Sequence, residues 1–202
     1  MTTRIDWTLP SILEMAWRSV TEPKRVAADL IEADLPESVL WPGLILVVLI
    51  ATIISGVINL LSPATGPLAE FVFSPFVSAF LSFAGLAIVI FALHWTGQMF
   101  RGVGRLNDMI LIITWAQFVL FIGQMALVVT VLILPVLGVL GFFAYFAAAI
   151  WMMVAFVDAV HGFDNLAKAL GVILVALVGV AFGVAILFSI VDFSAGGIVS
   201  NV

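Results

Sequence analysis

No charged residue occurs between Met109 and Val157, and this long charge-free run limits the chain to one class of structure. At about 1.5 Å per residue, a single helix of this length would far exceed the roughly 30 Å hydrocarbon core of a membrane. The run therefore fits two membrane-spanning helices. Pro135, which cannot continue a helix, and Gly138 close behind it mark the predicted turn between them.

The composition of the whole chain agrees with a membrane protein. Of its 202 residues, 64% are hydrophobic and 9% are charged, so there are too few polar side chains to cover a soluble surface. The net charge of −5 arises largely in the N-terminal tail and does not suggest nucleic acid as a partner. Because the chain has no cysteine, disulfides, thiol catalysis and thiolate metal sites are excluded.

Five apolar runs are each long enough to cross a membrane. The predicted spans are residues 39–61, 71–95, 109–134, 136–157 and 166–191. Residues 1–38 then form an N-terminal tail, and residues 192–202 form a short C-terminal tail. The predicted fold is all-α, a polytopic transmembrane five-helix bundle with a cytoplasmic amphipathic tail at its N-terminus.

The basic residues orient this bundle. All seven lysines and arginines fall in the N-terminal tail or in loops on one side of the five-span arrangement. Basic loops remain in the cytoplasm, so the N-terminus is predicted to lie inside and the C-terminus outside. A wrong number of spans would scatter these charges over both sides, and their clustering therefore supports the count of five.

Two short amphipathic helices are predicted in the N-terminal tail. The apolar stripe of the first consists of Ile12, Leu13, Ala16, Trp17 and Val20. A second stripe, from Val26 to Ile31, follows Pro23, a residue suited to the first position of a helix. Both helices are expected at the cytoplasmic leaflet, where they pack on the bilayer or on the bundle.

Two pairs of residues within the spans are candidates for interaction or packing. Gln117 and Gln124 share a face of the third span, where they either line a polar pathway or form interhelical hydrogen bonds. Gly179 and Gly183 give the fifth span a small-residue face. Such a face lets another helix approach closely, either within the chain or in a second copy.

A polar layer at the cytoplasmic ends of the spans is the second candidate region. His94 ends the second span, while Asp158 and His161 follow the fourth span and share a face if that helix continues. Imidazole and carboxylate groups suit a divalent metal. The alternative is a polar cap, in which Arg101 and Arg105 pair with nearby carboxylates and the histidines bond to backbone carbonyls.

No catalytic residue and no cofactor site is predicted. The sequence contains neither an HExxH motif nor a hydrolase-type serine motif. Gly102-Val103-Gly104 follows no strand and lacks the Gly-Lys-Ser/Thr ending of a phosphate loop. The sequence therefore favours a protein that is not an enzyme.

Four segments of the chain are informative as an ordered set. They are TEPKRVAADL in the tail, HWTGQMFRGVGRLNDMI after the second span, ITWAQFVLF in the third span and DAVHGFDNLAKALGVIL between the last two spans. Together they resemble the Yip domain family of Ypt/Rab-interacting membrane proteins, and its bacterial branch most closely, over about residues 20–190. One departure is Gly102-Val103-Gly104, where similar sequences often have a Gly-Gly pair.

The resemblance implies a five-span protein whose eukaryotic relatives act in vesicle traffic and associate with Rab GTPases and related membrane proteins. A bacterial member has no Rab partner, so none is expected here, and the bacterial inner membrane is the expected location. The predicted function is that of a non-enzymatic integral membrane protein, acting through the bilayer, a second copy or another membrane protein. The alternative is a small transporter or channel for a metal ion or small solute that uses His94, Asp158 and His161.

Overall fold

The computed structural model describes residues 8–61 and 74–199, and this part of the chain is helical apart from short connections. Its helices are α1 (Leu9–Thr21), α2 (Pro23–Glu32), α3 (Glu37–Leu61), α4 (Pro75–Met99), α5 (Leu106–Ile133), α6 (Pro135–His161) and α7 (Leu166–Val199). Five of the described helices, α3 to α7, are long and apolar enough to cross a membrane. The predicted all-α five-helix bundle is thereby confirmed.

The hairpin between α5 and α6 divides the charge-free run. α5 ends at Ile133 and α6 begins at Pro135, on either side of Leu134, where the sequence predicted the turn. Pro135 occupies the first turn of α6, where its missing N–H sacrifices no helical hydrogen bond. A Cβ at Gly138 would lie 2.5 Å from a methyl carbon of Val131, so glycine permits the two helices to pack closely here.

The helices extend beyond the apolar runs from which the spans were predicted. α3 begins at Glu37 and not at 39, α4 ends at Met99 and not at 95, α5 begins at Leu106 and not at 109, and α6 ends at His161 and not at 157. Hydropathy marks where apolar side chains stop, whereas backbone hydrogen bonds continue a helix until a cap or turn ends it. Asp158 and His161 therefore both lie on α6.

The last helix also extends further than predicted. α7 continues to Val199, so residues 192–199, which were assigned to a C-terminal tail, are helical. This segment contains no proline that would end the helix. The predicted break at residues 62–67 and the predicted start of the second span at Phe71 lie outside the described residues.

α2 is packed against the bundle by its apolar face. Val26, Ala27 and Leu30 are fully buried and face α5 and α6. α1 packs beside α2 and also reaches α6. The N-terminal helices are therefore docked on one end of the spanning helices, and this end of the bundle is termed the docked end.

α1 faces the bundle with only part of the predicted apolar stripe. Leu13 and Trp17 of that stripe are 48% and 71% exposed. The buried residues of α1 are Met15, Ala16 and Ser19, of which Ala16 belongs to the predicted stripe. Ser19 explains the difference, because its hydroxyl accepts a hydrogen bond of 2.8 Å from the buried indole of Trp115 and donates one of 2.8 Å to the carbonyl of Met15.

The buried core is concentrated at the docked end. Among the described residues, the last buried one is Val48 on α3, Val119 on α5 and Ala176 on α7. On α4, which runs in the opposite direction to α3, the first buried residue is Ile90. On α6, Gly138 is the one described buried residue that precedes Met152. In the opposite half, termed the far end, most described side chains face outward or line grooves between helices.

Candidate functional site

The two polar junctions of the chain are in contact at the docked end. The backbone N–H of Val103, between α4 and α5, donates a hydrogen bond of 3.1 Å to the carbonyl of His161, which ends α6. Residues 94–108 and 158–168 therefore form one continuous structure, termed the junction layer. This contact joins two segments that the sequence placed on the same side of the membrane.

The imidazole of His161 lies in a cradle formed by two glycines. The residue is 1% exposed, and a Cβ added to either Gly97 or Gly102 would overlap its ring. Nδ1 is 3.0 Å from the carbonyl of Val157, and because a carbonyl only accepts, Nδ1 is the donor and carries the proton of the neutral ring. Within the described part of the chain, Nε2 has no hydrogen-bond partner.

An aromatic ring covers the other side of His161. Phe163 stacks on the imidazole with a centroid distance of 5.2 Å and an interplanar angle of 11°. The ammonium group of Lys168 lies 4.2 Å from the centroid of Phe163, a cation–π arrangement. Gly162 makes this turn possible, since it caps α6 in the left-handed conformation with φ of 62°.

His94 enters the junction layer from α4, one turn before Gly97. Its Nε2 lies 3.1 Å from the side-chain nitrogen of Gln98, which donates to it. Its Nδ1 is buried and has no hydrogen-bond partner among the described residues. The layer thus holds two buried imidazole nitrogens, one on His94 and one on His161, whose hydrogen-bonding capacity the described chain does not use.

Asp158 joins three parts of the chain. Its side chain is 2% exposed; Oδ2 lies 2.5 Å from the ammonium of Lys24 and Oδ1 accepts a hydrogen bond of 2.8 Å from the backbone N–H of Asn165. Lys24 lies in the first turn of α2, and Asn165 directly precedes α7. A buried carboxylate is stable only with such partners, so Asp158 holds both helices against α6.

Arg105 organises the other edge of the junction layer. Its guanidinium donates to Asp108 at 2.8 and 3.0 Å and to Asp34 at 2.9 Å. These hydrogen bonds, first those to Asp108 and then that to Asp34, raise the pKa of Arg105 further above its already high value. Arg105 therefore remains charged, and it links the start of α5 to the turn after α2. Arg101, the other arginine of this loop, is exposed with φ of 61°.

Residues 17–187 match the family model of the Yip1 domain. The chain belongs to the Yip1 domain family. The resemblance carried by its four segments is thereby confirmed, and with five apolar helices of spanning length the protein is an integral membrane protein. No curated protein and no solved structure matches the chain significantly.

In this Yip1 domain, the three metal-ligand candidates have other contacts. His94 bonds to a glutamine of its own helix, Asp158 to Lys24, and His161 to a backbone carbonyl. In the described part of the chain, no group of three His, Cys, Asp or Glu side chains is arranged to hold a metal ion. The geometry therefore gives the metal hypothesis no support, whereas the arginine–aspartate pairing fits the polar-cap alternative.

The other candidates of the Yip1 domain lie within its spanning helices. Gln117 and Gln124 line one groove between α3, α4 and α5. Gly179 and Gly183 lie on α7, where a Cβ at either position would meet no described atom within 4 Å. The glutamine pair therefore faces a shared space, and the glycine pair lies outside the packed core.

Four contributors to the docked end were not recognised from the sequence. They are Ser19, Lys24, Asp34 and Gly97. Gly97 carried a usable signal, since a glycine inside a helix costs about 1 kcal/mol relative to alanine and often marks a close approach. Lys24 and Asp34 carried none, because their partners are distant in the sequence.

Proposed function

We propose that this protein is non-enzymatic and that it organises the membrane by associating with a second copy or another membrane protein through its spanning helices. The observation that carries the proposal is the glycine face of α7. Val172 and Ala176 are buried in the bundle, and Gly179 and Gly183 follow them by seven residues on the same stripe. At these two glycines the stripe reaches open space.

An exposed glycine pair has a physical use in a membrane. Each glycine disfavours the helix by about 1 kcal/mol relative to alanine. Two glycines four residues apart also let a second helix approach closely, and such packing drives association where lipid removes the hydrophobic effect. Since no described atom lies within 4 Å of a Cβ added at either glycine, a helix from outside the chain is the fitting occupant.

The contacts of the junction layer support a structural role rather than catalysis. The carboxylate of Asp158 binds Lys24 and a backbone N–H, and the guanidinium of Arg105 binds two carboxylates. The proton of His161 is held by a carbonyl of its own helix. Groups held in these hydrogen bonds and ion pairs stabilise the docked end. General acid–base catalysis would require these interactions to be broken.

We further propose that the docked end faces the cytoplasm at a bacterial inner membrane. The basic residues described by the structure lie at this end: Arg18, Lys24, Arg25, Arg101, Arg105 and Lys168. Basic segments remain in the cytoplasm during insertion, so the C-terminus lies on the opposite side. A periplasm-dependent reporter fused to the C-terminus is expected to be active, and an inactive fusion would reverse the orientation.

Photo-crosslinking from a single cysteine tests the association. Because the chain has no cysteine, Gly183→Cys labelled with benzophenone maleimide provides one defined site. Ala181→Cys is the matched control, since it is exposed at similar depth but points roughly 200° away around the helix. In native membranes, position 183 is expected to give a discrete crosslinked product several-fold more abundant than position 181.

The outcome also identifies the class of partner. A product of twice the monomer mass, together with a disulfide-linked dimer of Gly183→Cys after mild oxidation, indicates a second copy. A product of another mass, identified by mass spectrometry as a membrane protein, indicates a different partner. Equal or absent products at both positions, with a monomeric protein in lipid, would contradict the proposal.

A further inference from the structure

The far ends of α3, α4 and α5 enclose a groove with a volume of about 780 Å³. The groove begins near the level at which the buried core stops, at Val48 on α3, and continues along that helix to Leu60. Pro75 marks its end on α4. The groove therefore occupies the half of the bundle in which α3, α4 and α5 have no buried described residue.

Hydrogen-bonding side chains from all three helices line this groove. Thr52 comes from α3, Ser82 from α4, and Gln117 and Gln124 from α5. The hydroxyl of Thr52 donates to the carbonyl of Val48 at 2.8 Å. Neither glutamine amide makes a side-chain hydrogen bond with another described residue. Two helical turns, about 10 Å, separate these amides along α5.

The groove has an apolar edge and carries no charge among its described lining residues. Ile53, Val57 and Leu60 form its edge on α3 and are 63%, 49% and 81% exposed. In a bilayer, this edge faces acyl chains. An ion or an anionic headgroup would meet no opposite charge here, whereas each glutamine amide can both donate and accept.

An amide left without a partner in hydrocarbon is costly, so an occupant that hydrogen-bonds to both glutamines is favoured. The occupant must present uncharged donors and acceptors to α5 and an apolar surface to the edge on α3. Water satisfies the first requirement only. A neutral lipid with hydroxyl and ester groups satisfies both, and the volume of the groove is in the range of small-molecule sites.

We propose that the groove between α3, α4 and α5 binds a neutral glycerolipid of the diacylglycerol class. Its hydroxyl and ester oxygens bond to Gln117 and Gln124, and its acyl chains lie along Ile53 and Val57. This site is separate from the glycine face of α7, so it goes beyond the association proposed above and stands or fails independently of it.

Photolabelling in vesicles tests the site. The full chain is reconstituted in phosphatidylethanolamine–phosphatidylglycerol vesicles that contain an alkyne-tagged, photoactivatable diacylglycerol, and the labelled peptides are mapped by mass spectrometry. Labelling is expected on the α5 segment that contains both glutamines, and the double variant Gln117→Leu/Gln124→Leu is expected to lose at least five-fold of it. Gln98→Leu is the matched control, because Gln98 is the remaining glutamine and lies at the docked end.

A second variant keeps the test independent of the glutamines. Ser82→Phe fills the groove from α4 without altering α5, and it is expected to reduce the same labelling. An otherwise identical phosphatidic acid probe is expected to label α5 several-fold less than the diacylglycerol probe. Equal labelling by the two probes would overturn the neutral-lipid assignment.

Two further outcomes would overturn the proposal. If the folded Gln117→Leu/Gln124→Leu and Ser82→Phe proteins are labelled like the unmodified chain, the groove does not bind the lipid. If a membrane-impermeant methanethiosulfonate reagent rapidly modifies Gln124→Cys in vesicles, the groove is filled with water. Slow modification by this reagent, together with loss of labelling in Ser82→Phe, supports the lipid site.

Discussion

Lys24 of α2 and Asp158 of α6 form an ion pair at 2.5 Å, although they are far apart in the sequence. The carboxylate is almost fully buried, and the lysine is half exposed. The same carboxylate accepts a hydrogen bond from the backbone N–H of Asn165, just before α7. One side chain thus holds the N-terminal helices and the last spanning helix in their places at the docked end.

Lys24→Met is expected to loosen the N-terminal helices, because it leaves the buried Asp158 without its cation. Loss of one partner of a fully buried pair costs roughly 3–5 kcal/mol, and the exposure of Lys24 reduces the expected loss to about 1–3 kcal/mol. Thermal unfolding in detergent measures this loss, and limited trypsin proteolysis after Arg18 measures undocking. Arg25→Met is the control, since Arg25 is exposed and should change stability by at most about 0.5 kcal/mol. An equal effect of both variants would contradict the role of the pair.

Gly97→Ala is expected to destabilise the protein, even though alanine is the better helix former. Its Cβ would overlap the imidazole of His161, so the ring must leave its cradle. Gly85→Ala on the same helix is the matched control, because no described atom lies within 4 Å of its added Cβ. That control is expected to stabilise the protein by up to about 1 kcal/mol. Melting temperatures that shift in the same direction for both variants would contradict the cradle.

The cradle can also be tested as a coupling between residues. His161→Ala removes the ring that the alanine side chain at position 97 would meet. The double variant Gly97→Ala/His161→Ala is therefore expected to be more stable than the sum of the two single effects predicts, by about 0.5–3 kcal/mol. Additive free energies of unfolding would show that the two residues do not share this space.

Ser19→Ala is expected to destabilise the docking of α1 by about 1–3 kcal/mol. The substitution leaves the buried indole N–H of Trp115 without its acceptor, and an unsatisfied buried donor costs this amount. Thr21→Ala is the control, because its hydroxyl is exposed and bonds weakly within α1 at 3.5 Å. Unfolding curves that coincide for the two variants would count against the Ser19–Trp115 contact.

Arg105→Lys is expected to release the turn after α2 with little effect on the buried core. A lysine cannot reproduce the fork that binds Asp108 and Asp34 together. Amide hydrogen exchange near Asp34 is expected to accelerate, and the difference should shrink at high salt because the ion pair is exposed. Arg101→Lys is the control, since Arg101 forms no ion pair with a described residue. Unchanged exchange near Asp34 would contradict the link.

The five spanning helices were predictable because hydropathy and charge act over each helix as a whole. The turn at Leu134-Pro135 was predictable for a local reason, since proline cannot continue the preceding helix. A contact between the His94 and His161 junctions was conceivable from the sequence, because both were predicted on the same side of the membrane and at the same depth. The geometry of this contact could not be predicted, because Gly97 and Gly102, which make room for the ring, lie in a different segment from His161.

The face of α1 shows where periodicity stops being informative. Both sides of this helix carry apolar residues, so the pattern alone did not determine which side packs on the bundle. The choice depends on one hydrogen bond between Ser19 and Trp115, which is a long-range contact. The pairing of Lys24 with Asp158 was hidden for the same reason, since local patterns do not specify partners across a chain.

The position of the buried core has a consequence for how the protein responds to its surroundings. Beyond Val48 on α3 and Ala176 on α7, no described residue of these two helices is buried, so core packing no longer fixes their spacing. In a bilayer, acyl chains contact the exposed apolar side chains of that half, so the lateral pressure and thickness of one leaflet act directly on its cross-section. We expect a wider far end in a thin, fluid bilayer and a narrower one in a thick, ordered bilayer, which makes the lipid environment a determinant of the tertiary structure.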